Sequence, residues 1–265
     1  MISVMDLQLH GQKALVTGST AGIGLAIATA LAREGADVIV NGRTEARVAK
    51  AVAKIRATAK SYVSGIAADA GTQTGIDLLV TQNPAVDILV NSLGIFEPKP
   101  FGEISDAEWL RFFEVNVLGG VRLSRAYLPG MLARNRGRIL FISSESAFQI
   151  PAEMIHYGVT KSAQVSLARG LAETTAGTGV TVNSVLPGPT RSEGVEAFVE
   201  KLPGGKNFSE FEREFFETVR PTSLLRRFET VEEIAAVVAF VCSPLASVIN
   251  GAAVRAEGGV LKSAF

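Results

Sequence analysis

The chain has 265 residues, of which 47% are hydrophobic, enough to bury a large core, and α/β folds of this length are commonly single domains. Lysine plus arginine and aspartate plus glutamate both number 26, so the formal net charge is zero, and the absence of a basic excess argues against nucleic acid as the main partner. A single cysteine, Cys242, excludes an intramolecular disulfide, and its place in the apolar run Ala235–Cys242 marks it as a buried thiol. Residues 1–12 lack the charged-then-apolar pattern of a signal peptide, and no apolar run reaches membrane-spanning length. A cytoplasmic protein with no membrane partner and no metal is the expectation.

In chain order, the pattern predicts alternating strands and helices. The strand 13–17 enters a glycine-rich turn, Gly18-Ser19-Thr20-Ala21-Gly22-Ile23-Gly24, and leaves through an apolar helix over 22–34. Strand, glycine turn and helix together make a phosphate cradle. Glycine lets the backbone approach a pyrophosphate, and the helix N-terminus offers free N–H groups and partial positive charge. Further strands are predicted at 37–41, 61–67, 86–91, 137–143, 180–186 and 252–256, and helices at 45–58, 73–82, 105–134, 155–176 and 230–242. Ser105-Asp106-Ala107-Glu108 and Thr230-Val231-Glu232-Glu233 read as capping boxes, and Gly35, Gly137 and Gly179 punctuate entries into strands. Repeated βα units imply a parallel sheet covered on both faces. Residues 190–228 break the alternation. They contain the flexible Pro203-Gly204-Gly205 and then Phe208, Phe211, Phe215 and Phe216 among charges, which fits either an amphipathic packed helix or a mobile cover over a pocket.

Tyr157 and Lys161 stand four apart in the predicted helix 155–176, so their side chains share a face. A free phenol ionises near pH 10. A cation at roughly 4 Å is worth up to about 4 kcal/mol at an effective dielectric near 20, so Lys161 is expected to bring Tyr157 towards neutrality as a proton donor.

Taken together, Thr17–Gly24 as T-G-x-x-x-G-x-G and Tyr157–Lys161 as Y-x-x-x-K resemble the short-chain dehydrogenase/reductase family over nearly the whole chain, in particular its 3-oxoacyl-thioester reductases. The resemblance implies a single-domain doubly wound Rossmann fold over residues 1–265, with a seven-stranded parallel sheet flanked by helices and 190–228 as a substrate lid. It implies an active-site serine at Ser144, thirteen residues before the tyrosine (157 − 144), and Asn116 holding a water that links Lys161 to solvent. Hydride would pass between a nicotinamide and a carbonyl carbon, with Ser144 hydrogen-bonding the oxygen, Tyr157 supplying the proton and Lys161 gripping the nicotinamide ribose. Cofactor contacts are implied for Gly18, Ser19, Thr20, Gly22, Ile23, Gly24, Asp69, Asn91, Gly94, Tyr157, Lys161, Pro187, Gly188 and Thr190. Asp69 alternatively caps the helix at 73–82.

The cofactor's identity turns on Asn41-Gly42-Arg43, where relatives that prefer NAD usually carry an acidic residue. Gly42 lies eighteen positions past Gly24 (42 − 24), close to the usual spacing. With no carboxylate there, and with Arg43 able to hold a 2′-phosphate, NADP is expected and NAD is the alternative. Three departures from the family pattern stand out. N-N-A-G becomes Asn91-Ser92-Leu93-Gly94, which unsettles the bonding at the end of the fourth strand. The segment between Asp69 and Asp87 is short, which suggests a truncated or displaced third helix. The terminal D-G-G becomes Glu257-Gly258-Gly259. Glu145 and His156 flank the catalytic pair without an assigned role. The expected enzyme reduces a ketone or 3-oxoacyl-type substrate. Alternatives are an NAD-dependent dehydrogenase of a sugar, hydroxy acid or other secondary alcohol, and a non-catalytic dinucleotide-binding sensor. The helix 230–242 and the stretch Val248–Val254 resemble segments through which relatives form homotetramers.

Overall fold

The computed structural model describes residues 6–200 and 207–264. Seven parallel strands run β1 (Lys13–Val16), β2 (Asp37–Gly42), β3 (Val63–Ala67), β4 (Ile88–Asn91), β5 (Gly137–Ile142) and β6 (Val180–Pro187) in sequence, with β9 (Ala253–Ala256) last. A short parallel pair, β7 (Thr190–Arg191) and β8 (Glu229–Thr230), lies outside the sheet. The spatial order is β3-β2-β1-β4-β5-β6-β9, so the strand order reverses between β1 and β4. That reversal opens a crevice at the carboxyl ends of the strands, where ligands bind in open α/β sheets.

Alternate side chains of each strand feed two cores, as a period of two requires. Ala14, Val16, Val38, Val40, Ile88, Val90 and Leu140 face α1 (Gly22–Arg33), α2 (Glu45–Arg56) and α9 (Val231–Cys242). Leu15, Ile39, Leu89, Ile139, Phe141 and Val182 face α3 (Gln73–Gln82), α5 (Gly119–Ala133) and α6 (Ile155–Glu173) on the other side. A fully buried side chain of this kind contributes about 1.5–3 kcal/mol relative to exposure. Two buried faces explain why these strands read as unbroken apolar runs. Cys242 is wholly buried among them, and burial pushes its thiol up to about 12. No helix among the described residues is long and apolar enough to cross a membrane.

The capping boxes at Ser105 and Thr230 form as expected. The single helix predicted over 105–134 does not. It is divided into α4 (Asp106–Phe113), one π turn (Glu114–Leu118) and α5. Two glycines at the start of α5 draw the chain inward: a Cβ on Gly119 would lie 2.6 Å from the Ala70 carbonyl oxygen, and one on Gly120 would lie 2.7 Å from the Phe141 ring. The widened turn carries Asn116, whose carbonyl accepts from Gln164 on α6, and π turns commonly occur at functional sites. The short segment after Asp69 still builds a full α3. Thr72 caps it by accepting from the Gly75 N–H at 3.1 Å, and Ile76 and Leu79 anchor it in the core.

Within 190–228 lie α7 (Glu193–Val199) and α8 (Phe208–Thr218), with Pro203-Gly204-Gly205 outside the described residues. The Phe stripe of α8 packs on itself and on Phe228, whose ring centroid lies 5.3, 5.0 and 5.3 Å from those of Phe208, Phe215 and Phe216. The Arg191 guanidinium covers the Phe208 ring at 4.1 Å. Aromatic pairs at this separation are mutually stabilising, so the stripe serves first as the internal core of the excursion.

Candidate active site

The turn after β1 is built from backbone. Gly18 and Gly22 adopt φ of +63° and +54°, which favour glycine, and a Cβ on Gly24 would meet the Gly18 carbonyl oxygen at 2.5 Å. No side chain caps α1, whose N-cap is Ala21, so the first-turn N–H groups of Gly22, Ile23 and Gly24 remain available to an anion. Thr20 lies half-buried beside them. Ser19 departs from its expected role as a cofactor contact. It is fully buried, its hydroxyl donates to the Val16 carbonyl at 2.7 Å and accepts from the Asn41 N–H at 2.9 Å, and its own N–H is spent on the Asn41 carbonyl. Ser19 therefore braces the turn.

Asn41 is the counterpart of that brace, and sequence reasoning passed over it. Its carboxamide accepts from the Gly18 N–H at 3.4 Å and donates to the carbonyls of Ile66 and Ala68 at 3.3 and 3.0 Å. A polar residue closing an apolar strand was the available signal. Beyond it, Gly42 presses on Thr20, whose Cγ2 would lie 2.4 Å from any added Cβ. Arg43 is exposed at the mouth of the crevice. Asp69 is exposed and does not cap α3, because Thr72 does. Its Oδ1 accepts from the Gly71 N–H at 3.0 Å, which holds the loop after β3.

The end of β4 is not left unbonded by the change from N-N-A-G. The Thr17 hydroxyl accepts from the N–H groups of Ser92 and Leu93 at 3.0 and 3.1 Å. Asn91 is buried, and neither polar atom of its carboxamide has a partner among the described residues. A cavity of about 10 Å³, lined by Thr17, Asn91, Asn116 and Gln164 among others, lies beside it, near the lower limit for one water. Gly94 comes next to the catalytic helix, since a Cβ there would lie 3.4 Å from Lys161 Nζ.

The turn after β5 and the first turns of α6 gather the ionisable groups. Ser143 donates to the Lys161 carbonyl at 2.9 Å and so sets the start of α6 against β5. Ser144 is buried, its hydroxyl accepts from the Ser146 N–H at 3.1 Å, and it also acts as a hydrogen-bond partner of Tyr157. Lys161 Nζ donates to the Ile142 carbonyl at 2.9 Å and to Gln164 Oε1 at 3.3 Å. It stands 5.5 Å from the centre of the Tyr157 ring.

The expected acidification of Tyr157 by Lys161 is not what the structure shows. Burial pushes the phenol up to about 12, opposed by its hydrogen bond with Ser144; Glu145 pushes it further up and Arg220 pulls it down. Burial likewise pushes Lys161 down to about 8. The ammonium is held by the Ile142 carbonyl and the Gln164 amide, and burial disfavours the charged form of both the phenol and the amine.

Asn116 serves as a clamp. Its Oδ1 accepts from the Ile95 N–H at 2.8 Å, and its Nδ2 donates to the Ile95 carbonyl and to Thr160 Oγ1, both at 3.0 Å. Its backbone carbonyl accepts from Gln164 Nε2. Glu145, on the turn after Ser144, is 4% exposed and pairs with Arg220 at 2.9 Å. Its carboxyl is nevertheless raised by burial against the pull of Arg220. Sequence reasoning did not name Gln164, whose one signal was its place three past Lys161 on one helix face. Arg220, far along the chain, had no local signal. His156 packs on Phe112, with centroids 3.9 Å apart, and burial lowers its pKa, so its place is in the packing of α4 against α6.

Across the crevice, Pro187 ends β6, and the Gly188 N–H donates to the Ala256 carbonyl at 3.0 Å. Thr190 Oγ1 donates to the Gly188 carbonyl at 2.9 Å. Glu257, at the position of the family's aspartate, accepts from the Val260 and Leu261 N–H groups and from Arg255.

The sequence profile of the short chain dehydrogenase family matches residues 12–203. The chain belongs to that family. It is 50% identical over 264 residues to the uncharacterised oxidoreductase YvaG of Bacillus subtilis (strain 168), a match spanning 98% of this chain and 100% of the relative. It is 33% identical over 261 residues to the 3-oxoacyl-[acyl-carrier-protein] reductase FabG of Aquifex aeolicus (strain VF5), spanning 97% of this chain and 100% of the relative. Among solved structures, the L-sorbose reductase of Gluconobacter frateurii, complexed with NADPH and L-sorbose, superposes with a TM-score of 0.90 at 30% identity, over 98% of this chain and 100% of the other. This short chain dehydrogenase is accordingly an oxidoreductase acting on CH–OH and C=O groups.

Proposed function

We propose that this dehydrogenase interconverts a ketone and its secondary alcohol, with NADP(H) as the source or acceptor of the hydride. The observation that carries the reading is the single polar shelf on which Ser144 meets Tyr157 and the buried Lys161 ammonium lies 5.5 Å from the phenol ring. In reduction, the Tyr157 hydroxyl delivers the proton to the substrate oxygen. Ser144 donates a hydrogen bond to the same oxygen as it gains negative charge. Lys161 keeps a positive charge beside the phenol and would hold a ribose hydroxyl. The uncapped α1 N-terminus with Gly18, Gly22 and Gly24 would take the pyrophosphate, and Asp69, Asn91, Gly94, Pro187, Gly188 and Thr190 would complete the cradle.

The preference for NADP(H) rests on Arg43, exposed and free of any hydrogen bond or ion pair among the described residues, beside a Gly42 that Thr20 leaves no room to enlarge. The NADPH-bound sorbose reductase supports it. For the substrate, the FabG relative supports a 3-oxoacyl-type ketone. The ion pair of Glu145 and Arg220 beside Ser144, and the Phe stripe packed on itself, favour a hydroxylated ketone as the second reading.

The test is a panel of 3-oxoesters, alicyclic ketones and keto sugars assayed with NADPH and NADH, on the wild type and Tyr157→Phe. The variant should bind NADPH normally and turn over about two orders of magnitude or more slower, the scale for loss of acid–base catalysis. Near-normal turnover in the variant overturns the assignment.

A further inference from the structure

We propose that Gln164 is a positioning residue for catalysis, a carboxamide strut that fixes the Lys161 ammonium against the π turn of Asn116. The inference rests on the proposed function, in which Lys161 acts as a cation beside Tyr157.

Lys161 and Gln164 stand three apart on α6, where side chains meet. Gln164 is 1% exposed, so its carboxamide must find its partners inside the protein. It uses both ends. Oε1 accepts from Lys161 Nζ at 3.3 Å, and Nε2 donates to the carbonyl of Asn116. One turn earlier on α6, Thr160 accepts from Asn116 Nδ2 at 3.0 Å and donates to the Tyr157 carbonyl at 2.7 Å. Two bonds to the same asparagine, a turn apart, fix both the rotation of α6 and the reach of Lys161.

An ammonium has three N–H donors. The Ile142 carbonyl and Gln164 occupy two, which leaves one directed by the others. A carboxamide neither gains nor loses a proton near neutrality, so Gln164 holds the charge in place and does not relay it. The acceptor carbonyl of Asn116 lies on the π turn, which packs directly against α6.

The charged and titratable groups on the packed elements are engaged elsewhere. Tyr157 presents its ring to Nζ, and His156 packs on Phe112 and Trp109. Glu145, on the turn after β5, pairs with Arg220, and Glu114, on the π turn, pairs with Arg122. Burial alone lowers the Lys161 pKa. Gln164 is the side chain that bonds Nζ, so a change there is read by Lys161.

The experiment follows the titration of Lys161 by 13C NMR in lysine-labelled enzyme without cofactor, assigned with Lys161→Arg. It compares wild type, Gln164→Leu and the isosteric Gln164→Glu. Losing an acceptor to the charged form should lower the Lys161 midpoint in Gln164→Leu by about one pH unit, and a carboxylate should raise it in Gln164→Glu by about as much. With NADPH and whichever probe ketone of the panel the wild type reduces, Gln164→Leu should lower kcat about tenfold while KM changes less than about threefold. Midpoints that stay in place in both variants, or move in the same direction, overturn the strut. An unaltered kcat in both overturns its catalytic role. If the leucine variant does not fold, the glutamate variant decides alone. Full turnover in Lys161→Ala would instead overturn the proposed function, whatever the titration shows.

Discussion

The turn after β1 and the turn after β5 close neighbouring parts of one crevice with opposite materials. After β1, the hydroxyls of Ser19 and Thr17 are spent inside the fold: Ser19 on Val16 and Asn41, Thr17 on Ser92 and Leu93. The surface offered to a ligand is backbone N–H at an uncapped helix end. After β5, the backbone is ordinary and the side chains carry the charge: Glu145, Tyr157 and Lys161, each with its pKa displaced by burial. An anion needs only fixed dipoles, which glycines can expose. Proton transfer needs titratable groups in a dry setting, and these must be held by partners from elsewhere in the fold.

That dependence on distant partners gives the sharpest way to break the comparison. Arg220, at the end of the excursion, is 6% exposed and neutralises Glu145 beside Ser144. Arg220→Ala strands a buried carboxylate and should cost roughly 3–5 kcal/mol of unfolding free energy, the range for breaking a buried pair from one side. Glu145→Gln added to it should recover most of that loss, because no charge is then left unpaired. Urea unfolding of the single and double variants measures both. A loss under about 1 kcal/mol in Arg220→Ala would mean that Glu145 is already protonated and the pair contributes little.

The same contrast explains what the sequence could show. Glycine spacing, a β-branched strand and an apolar helix are all local, so the β1 turn was legible from residues 13–32 alone, apart from the inward rotation of Ser19. A parallel sheet covered on both faces followed from alternation along the chain. At the other turn, Tyr157 and Lys161 were singled out by spacing and Ser144 by the family resemblance, while the burial that shifts Tyr157 and Lys161 was left out of account. A Coulomb estimate for two neighbours on a helix neglects desolvation, and here burial outweighs the attraction. Gln164 and Arg220 act through contacts that the fold alone creates, and the π turn at Asn116 interrupts a run whose apolar pattern reads as continuous helix.

A smaller effect sharpens the backbone side. If fixed dipoles supply the general anion affinity, then the one exposed side chain at the cradle's mouth, Arg43, should supply selectivity and little else. Arg43→Ala should weaken NADPH by about 1.5–3 kcal/mol, the range for hydrogen bonds to a charged group, and NADH by much less. Fluorescence titration of both dinucleotides into wild type and variant checks this. Equal weakening of the two would place Arg43 on the adenine or on the loop itself rather than on a 2′-phosphate.

The last test concerns a carboxylate shared by the sheet and the excursion. Glu229 is 4% exposed on β8, close to Gly188 and to Thr190 Oγ1 at 3.5 Å. Burial pushes its pKa up to about 8, with the Gly188 N–H pulling it down and Glu257 pushing it up. Because the folded value lies above the unfolded one, the native state holds the proton more tightly. The resulting stabilisation is fully present below about pH 4.5 and is lost as pH rises through about 8, with a limiting slope near 1.4 kcal/mol per pH unit for one proton. Glu229→Gln keeps the shape of the neutral form and should remove this slope, so that wild type and variant diverge between about pH 5 and 8. Unfolding free energies measured by urea across that range decide the matter. Parallel curves would show that Glu229 is ionised in the folded protein, and that a carboxylate accepting hydrogen bonds rather than a protonated carboxyl joins β8 to the Gly188 turn.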